Sequence, residues 1–290
     1  MKGHGIPLLR WMPMIGALLA AAPLAADTVT LVPTKDNTLY QYVSVDGDRS
    51  NGAGSYLFAG STDDGRTRRA VLAFDIAGNV PAGSTITSVT LTLQMTRSTS
   101  GVESQSLHKV LADWGEGTSN AGSNEGQGAP ATPGDATWRH RFYSAILWST
   151  PGGDYVPTAS ATASVGATGA YSWTSTGMVA DAQGWLDTPG SSFGWILIGR
   201  ESASHTTKRF NSRSSSPPPQ LTIVFTPPQI QGACCLGGGT CAELTPSQCS
   251  AQGGTYQGNG TPCSPNPCGT VEGPMGDSSS GPRVNTNPCQ

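Results

Sequence analysis

The sequence predicts an all-β fold, a jelly-roll β-sandwich with one short helix, followed by a small disulfide-rich module at the C-terminus. Three observations support this class: short segments that alternate apolar and polar residues, a composition with many glycines and only 12% charged residues, and a separate cluster of cysteines. Few charges and abundant turn-forming residues are typical of an exported all-β protein rather than a helical one.

Residues 1–26 have the organisation of a signal peptide. Lys2 and Arg10 precede an apolar run over 11–24, and the small residues Ala25 and Ala26 follow. The run is too short to span a bilayer, so we expect cleavage after Ala26, with Ala25 as the alternative, and export of the remainder. We therefore expect a secreted or cell-surface protein. Without the leader, 14 basic residues stand against 19 acidic ones, which argues against general nucleic-acid binding.

Residues 27–226 form the predicted sandwich, and alternation marks its strands. In the clearest one, 85–96, apolar residues at odd positions from Val89 to Met95 alternate with polar ones, which predicts one buried and one solvated face. Nearly continuous apolar runs at 70–74 and 195–198 predict central strands covered on both faces. Further strands are predicted at 39–45, 55–59, 106–111 and 221–225.

One helix and one long loop interrupt the strands. Met178, Ala182 and Trp185 recur at helical spacing, and Thr176 stands where an N-cap is expected. The stretch 115–135 consists mostly of Gly, Ser, Asn, Ala and Pro without any period, so we predict a long exposed loop.

The segment 233–268 has too few large apolar residues to build a core, so cross-links are expected to hold it. Its six cysteines, which allow 15 pairings, are Cys234, Cys235, Cys241, Cys249, Cys263 and Cys268. Adjacent Cys234 and Cys235 are expected to bond to different partners. The spacing lacks the paired pattern of zinc sites. Cys289 is left over and is a candidate for an intermolecular link, while 227–232 and 269–290 are predicted to be a linker and a disordered tail.

Eight segments of the sandwich match, in order, those of a known family. They are Asp36–Tyr40, Arg69–Asp75, Pro81–Ile86, Asp113–Asn120, Asp135–Trp138, Gly152–Asp154, Gly194–Leu197 and Lys208–Arg213. Together they cover residues 30–226 and resemble the DNRLRE-domain family, which overlaps carbohydrate-binding module family 96. The resemblance implies a secreted jelly-roll module that binds polysaccharide, with alginate-like acidic chains as a known class. This chain departs from the family at Ser214, where an acidic residue is common, and at the prolines 217–219.

Basic residues concentrate in two stretches, at 66–69 and at 200–213. If the two stretches are neighbours, Arg69, Arg200, Lys208 and Arg213 are expected to form a cationic patch for an acidic polysaccharide, because a guanidinium binds a carboxylate through two parallel hydrogen bonds. Arg69, Lys208 and Arg213 also match basic positions of the family. The alternative is that some of these cations pair with carboxylates of the protein, the candidates being Asp63, Asp64, Asp75 and Glu201.

Aromatic rings near loops are candidate platforms for sugars. Trp148 and Tyr155 are predicted ligand-binding residues on this basis, whereas Trp114, Trp185 and Trp195 lie within strand or helix patterns and are predicted to be core. Trp138 and Trp173 are further candidates for either role.

No cofactor is predicted, although the turns 46–48 and 152–154 carry carboxylates of the kind that bind a structural calcium ion. No motif for a zinc protease or a nucleophilic serine hydrolase is found, and we predict a non-catalytic protein. A structural surface or matrix protein that binds other proteins is the alternative, and a polysaccharide lyase is a third hypothesis.

Overall fold

The computed structural model describes residues 25–42 and 48–269. The chain divides into two compact units between Pro227 and Pro228, at the start of the predicted linker. Most of the predicted signal peptide, the tail and Cys289 lie outside the described residues. None of the helices in the described part of the chain has the length and apolarity that crossing a bilayer requires.

Most of the regular elements of the first unit are strands. They are β1 (Asp27–Leu31), β2 (Lys35–Tyr40), β3 (Arg49–Ser50), β4 (Tyr56–Ser61), β5 (Thr67–Ala73), β6 (Thr85–Ser98), β7 (Glu103–Lys109), β8 (Ala129–Pro130), β9 (His140–Phe142), β10 (Ile146–Leu147), β11 (Ala161–Val165), β12 (Gly169–Thr174), β13 (Trp195–Ile198), β14 (Lys208–Asn211) and β15 (Gln220–Thr226). The predicted fold class, an all-β sandwich with a disulfide-rich module, is confirmed.

Eleven strands belong to one curled antiparallel sheet. β1, β15, β6, β12 and β14 pair on one side of it, and β2, β5, β13, β7 and β11 pair on the other. β4 joins the two, pairing with β14 through Tyr56–Ala59 and with β5 through Gly60 and Ser61. Gly60 has φ of 118°, and a Cβ atom there would lie 2.6 Å from the Thr206 carbonyl oxygen, so this corner requires glycine.

The core between the two layers is apolar and rich in aromatic rings. Trp173 packs against Phe210 with ring centroids 6.1 Å apart, and Trp185 packs against Trp195 at 4.5 Å. The predicted alternation in β6 is confirmed from Val89 to Met95, each apolar residue being buried. β5 and β13 are covered on both faces, as their continuous apolar sequences predict.

Helix α1 (Thr176–Asp187) packs its buried residues Met178, Ala182 and Trp185 on this core, as predicted. Its N-cap is Ser175 rather than Thr176, because the Ser175 hydroxyl accepts a hydrogen bond from the Met178 N–H.

A second apolar cluster covers the outer face of β5 and β13. It contains Val71 and Ile196 from the sheet and Trp114, Ala136 and Trp148 from the segment that follows β7. The prediction of a long exposed loop over 115–135 is met in part: Thr118, Asn120 and Gln127 are exposed, but Ser119, Glu125 and Asp135 are buried. This segment contains the 3-10 helix Gly122–Gln127 and strand β8, and it is fixed by buried polar side chains rather than by a periodic apolar face.

The second unit contains β16 (Gly232–Cys235), β17 (Cys241–Leu244), β18 (Thr255–Tyr256) and helix α2 (Pro246–Ala251). Its disulfides join Cys234 to Cys249, Cys235 to Cys268, and Cys241 to Cys263. The adjacent cysteines have different partners, as predicted. Helix α2 begins with a capping box between Thr245 and Gln248, a local polar device that suits a unit with few apolar contacts.

Candidate functional site

Arg69 is held by a bidentate ion pair inside the first unit. Its Nε and Nη2 atoms donate to the two carboxylate oxygens of Glu201 at 2.7 and 2.8 Å, and its Nη1 donates to the Gly152 carbonyl oxygen. The guanidinium lies 4.8 Å from the centre of the Trp138 ring, and the side chain is 12% exposed. Arg69 therefore pairs with a carboxylate of the protein, Glu201, which is the alternative given in the sequence analysis.

Arg213 is bound in the same way at another acidic group. Its Nε and Nη2 atoms donate to Glu116 at 2.5 and 2.7 Å, and its backbone N–H donates to Asp36 at 2.6 Å. The Glu116 pairing raises the pKa of the Arg213 guanidinium, so the cation stays charged within the pair. The Nε and Nη2 donors of Arg213 are therefore already bound to a carboxylate of the protein.

Lys208 points into the sandwich and is fully buried. Its ammonium group donates to the Ser98 hydroxyl at 2.6 Å and to the carbonyl oxygens of Ser100 and Gly101. Burial lowers the pKa of this ammonium. The expectation that Arg69, Lys208 and Arg213 form one open cationic patch is therefore not met. Arg200 is more than half exposed, with Glu103 3.6 Å away.

The two predicted aromatic platforms differ in their surroundings. Trp148 is 4% exposed and its Nε1 donates to the Thr137 carbonyl oxygen at 2.9 Å, so its ring is part of the outer apolar cluster and not a surface platform. Tyr155 is half-buried and lines an open depression together with Arg69 and His108. The remaining buried tryptophans are Trp114, Trp173, Trp185 and Trp195. This confirms the prediction that Trp114, Trp185 and Trp195 belong to the core.

The two carboxylate turns that resemble calcium ligands have other contacts. Asp154 accepts the backbone N–H groups of Ser149 and Thr150 at 2.9 Å, so it closes its own turn. Asp48 accepts hydrogen bonds from Arg139 and His140. Positions 46 and 47 lie outside the described residues. Within the described ranges, no group of three or more His, Cys, Asp or Glu side chains is arranged to hold a metal ion.

A different group of cations lines a cavity of about 520 Å³ in the first unit. We call it the arginine cleft, and its lining side chains are Arg66, Arg68, Arg97 and Arg209 with Tyr56 and Phe58, closed by residues of the 3-10 helix Gly122–Gln127. This volume lies in the range of small-molecule sites. Three of these arginines belong to the two basic stretches of the sequence, and Arg97 does not.

A β-bulge places Arg97 in the cleft. Arg209 of β14 lies opposite Arg97 of β6, but the next residue, Phe210, lies opposite Met95, so Thr96 is an extra residue on β6. Met95 and Phe210 are both buried, while Thr96 is half-buried and Arg97 is exposed. Without the bulge, strict alternation after Met95 would point Arg97 into the core. The extra residue reverses this and brings Arg97 beside Arg209.

Arg209 is oriented by two contacts. Its Nε donates to the Thr96 hydroxyl at 3.0 Å, and its guanidinium lies 3.9 Å from the centre of the Tyr56 ring. On its other side Arg209 is paired in register with Phe58 of β4. Among residues 25–42 and 48–269, neither Arg97 nor Arg209 has a carboxylate within ion-pair distance.

Three carboxylates also line the cleft, and each of them contacts another group. Asp64 pairs with Arg66 at 2.9 Å, and Asp63 lies 3.3 Å from His205. Glu125 accepts the Asn51 amide and the Tyr56 backbone N–H through one oxygen. The cleft therefore combines a paired cation at its rim with two cations that have no acidic partner in the described structure.

Arg68 supports the wall of the cleft. It is 3% exposed, and its guanidinium donates to the carbonyl oxygens of Gly126, Gln41 and Thr67. Burial lowers the pKa of the Arg68 guanidinium. Because Gly126 belongs to the 3-10 helix that closes the cleft, Arg68 fixes this helix to β5.

No family model and no curated protein matches this chain. The resemblance to the DNRLRE-domain family thus stays a prediction.

Proposed function

We propose that this chain is an exported, non-catalytic carbohydrate-binding protein that recognises an acidic extracellular polysaccharide through the arginine cleft. The observation that carries the proposal is the pair of Arg97 and Arg209, neighbours across two strands, with no carboxylate partner among the described residues. Guanidinium groups that are not neutralised internally are available to carboxylate or sulfate groups of a ligand.

The remainder of the chain supports a role outside the cell. Three disulfides in the second unit persist in an oxidising compartment, and the first 26 residues have the pattern of an export signal. Uronic acid and sulfate groups of extracellular polysaccharides are anions that a pair of guanidinium groups can bind. This is the same ligand class that the sequence predicts, at different arginines.

Affinity electrophoresis tests the proposal. Wild-type protein is expected to be retarded in gels that contain alginate or polygalacturonate, but not in gels that contain neutral dextran. Added salt should relieve the retardation, because contacts between exposed charges are screened. Arg209→Ala should abolish most of it.

Arg141→Ala is the matched control, because it removes the same charge from a side chain that donates to the Asp113 carbonyl oxygen and does not line the cleft. Equal retardation of Arg209→Ala and wild type would place binding elsewhere. No retardation in any acidic gel would favour the alternative of a structural protein, and unsaturated sugar ends appearing in the gel would indicate a lyase.

A further inference from the structure

We infer that the arginine cleft selects sulfate esters over carboxylates, so that its ligand is a sulfated polysaccharide. This inference rests on the proposed function and narrows it. It comes from the geometry of Arg97 and Arg209 and from the lack of a free aromatic ring in the cleft.

Arg97 and Arg209 occupy directly opposite positions on the neighbouring strands β6 and β14. Residues directly opposite each other in an antiparallel pair have Cα atoms about 4.5–5.5 Å apart, and both side chains leave the same outer face at the bulge. Two long cations on adjacent strands can therefore reach one anionic group from two sides.

The number of acceptor oxygens on the anion then decides which ligand can bind both guanidinium groups. A carboxylate has two oxygens in one plane, and a bidentate guanidinium binds both of them, as in the Arg69–Glu201 and Arg213–Glu116 pairs. A further donor has to share the same two oxygens, as the Asp36 N–H does at Glu116. A sulfate ester has three terminal oxygens in a pyramidal arrangement, so it can accept from a second guanidinium without losing the first. The Nε of Arg209 already donates to Thr96, which leaves the terminal nitrogens of this side chain for the ligand.

The cleft offers little to the sugar ring itself. The face of Tyr56 is covered by the Arg209 guanidinium, 3.9 Å from the ring centre. Phe58 is 7% exposed, and Gly126 of the closing 3-10 helix lies against its ring. With no open ring for stacking, binding depends on the anionic groups, and the sugar skeleton contributes little.

The arrangement also predicts a cost in stability. Like charges directly opposite each other in a sheet are destabilising, and no carboxylate of the described chain offsets this pair. Binding sites are places where such local conflicts are tolerated, because the ligand supplies the missing countercharge. Replacing one arginine should therefore stabilise the free protein while it weakens binding.

Thermal unfolding and titration calorimetry of the full chain test the inference with dextran sulfate, polygalacturonate and neutral dextran. At equal concentrations of anionic groups, dextran sulfate should bind about tenfold more tightly than polygalacturonate, corresponding to one extra charge-assisted contact. Arg97→Gln should reduce this preference to less than twofold. In low salt without ligand, it should also raise Tm by about 1–3 °C, whereas Arg141→Gln should do neither.

The outcomes separate this inference from the proposed function. Polygalacturonate binding as tightly as dextran sulfate, with both lost in Arg97→Gln, would overturn the sulfate preference and keep the proposed function. Failure of both polymers to bind would overturn both. A Tm of Arg97→Gln below that of wild type would show that Arg97 has a structural role, which also contradicts the inference.

Discussion

Asp36 is a buried carboxyl group whose ionisation is linked to folding. Its Oδ2 accepts the Arg213 N–H, and its side chain is surrounded by protein, with the residue 1% exposed. Burial raises the pKa of Asp36 from 3.8 to about 7, although the Arg213 backbone N–H lowers it, and the nearby Glu116 charge adds to the rise. The folded protein therefore holds the Asp36 proton more tightly than the unfolded chain does.

This linkage predicts how stability depends on pH. The contribution of Asp36 to stability is fully present below pH 4 and is lost as pH rises to about 7. The unfolded chain releases this proton near pH 3.8, whereas burial makes the folded protein keep it until about pH 7. Asp36→Asn keeps an oxygen for the Arg213 N–H and removes the ionisation. The variant should lose less stability than wild type between pH 4.5 and 8, as measured by urea unfolding. The exposed Asp187→Asn is the control, and a wild-type slope in Asp36→Asn would contradict the assignment.

At the same scale, single residues mark the limit of what sequence shows about the site. Arg69, Lys208 and Arg213 are chemically suitable for an acidic ligand, but their availability depends on Glu201, Glu116 and the burial of β14, which are distant contacts. Arg97 could not be assigned to the surface from alternation, because a bulge of one residue has no signature in the sequence around Thr96.

The elements follow the sequence wherever a period exists. The alternation from Val89 to Met95 and the helical spacing of Met178, Ala182 and Trp185 both appear in the fold, since each period matches one buried face. Segment 115–135 has no period. Its order comes from side chains that bind backbone groups within the segment, as Asp135 does, and outside it, as Glu125 does at the Tyr56 N–H. Such contacts leave no repeating pattern, so the sequence predicted the loop but not the order within it.

Asp135 is the centre of this polar order. It is fully buried and accepts the N–H groups of Thr118 and Thr132 at 2.9 and 2.6 Å as well as the Ser119 hydroxyl. Asp135→Ala should lower the free energy of unfolding by about 2–4 kcal/mol, because several buried donors lose their acceptor.

Limited proteolysis provides the direct readout for Asp135. Wild type should resist cleavage over 115–135, and Asp135→Ala should be cut there while strands of the sandwich stay intact. Rapid cleavage of wild type in this segment would contradict the ordered arrangement. The surface variant Asp113→Ala serves as a control, because Asp113 is about half exposed.

At the scale of the whole molecule, two units are stabilised in different ways. The first has no cysteine and buries a large apolar core, whereas the second relies on three disulfides. The sequence predicted this division from the cysteine cluster, but it did not predict which cysteines pair, because pairing depends on which strand positions meet.

Reduction should therefore unfold the second unit and leave the first intact. Removing disulfides from a small domain typically costs about 2–5 kcal/mol each. Tryptophan occurs only before residue 228, so fluorescence reports on the first unit alone. Its Tm should be unchanged by a reducing agent, while hydrogen exchange over 232–268 should become fast. A fall in the tryptophan-monitored Tm by several degrees would show that the units depend on each other.

The proposed function places an acidic polysaccharide at Arg97 and Arg209. The most direct test is NMR of the arginine Nε–Hε groups while sulfated or uronic oligosaccharides are titrated into the full chain. We predict saturable shifts of the Arg97 and Arg209 signals, with Arg69 and Arg213 unchanged because Glu201 and Glu116 hold them. Shifts of Arg69 and Arg213 without any change at Arg97 and Arg209 would show that the ligand does not bind in the arginine cleft.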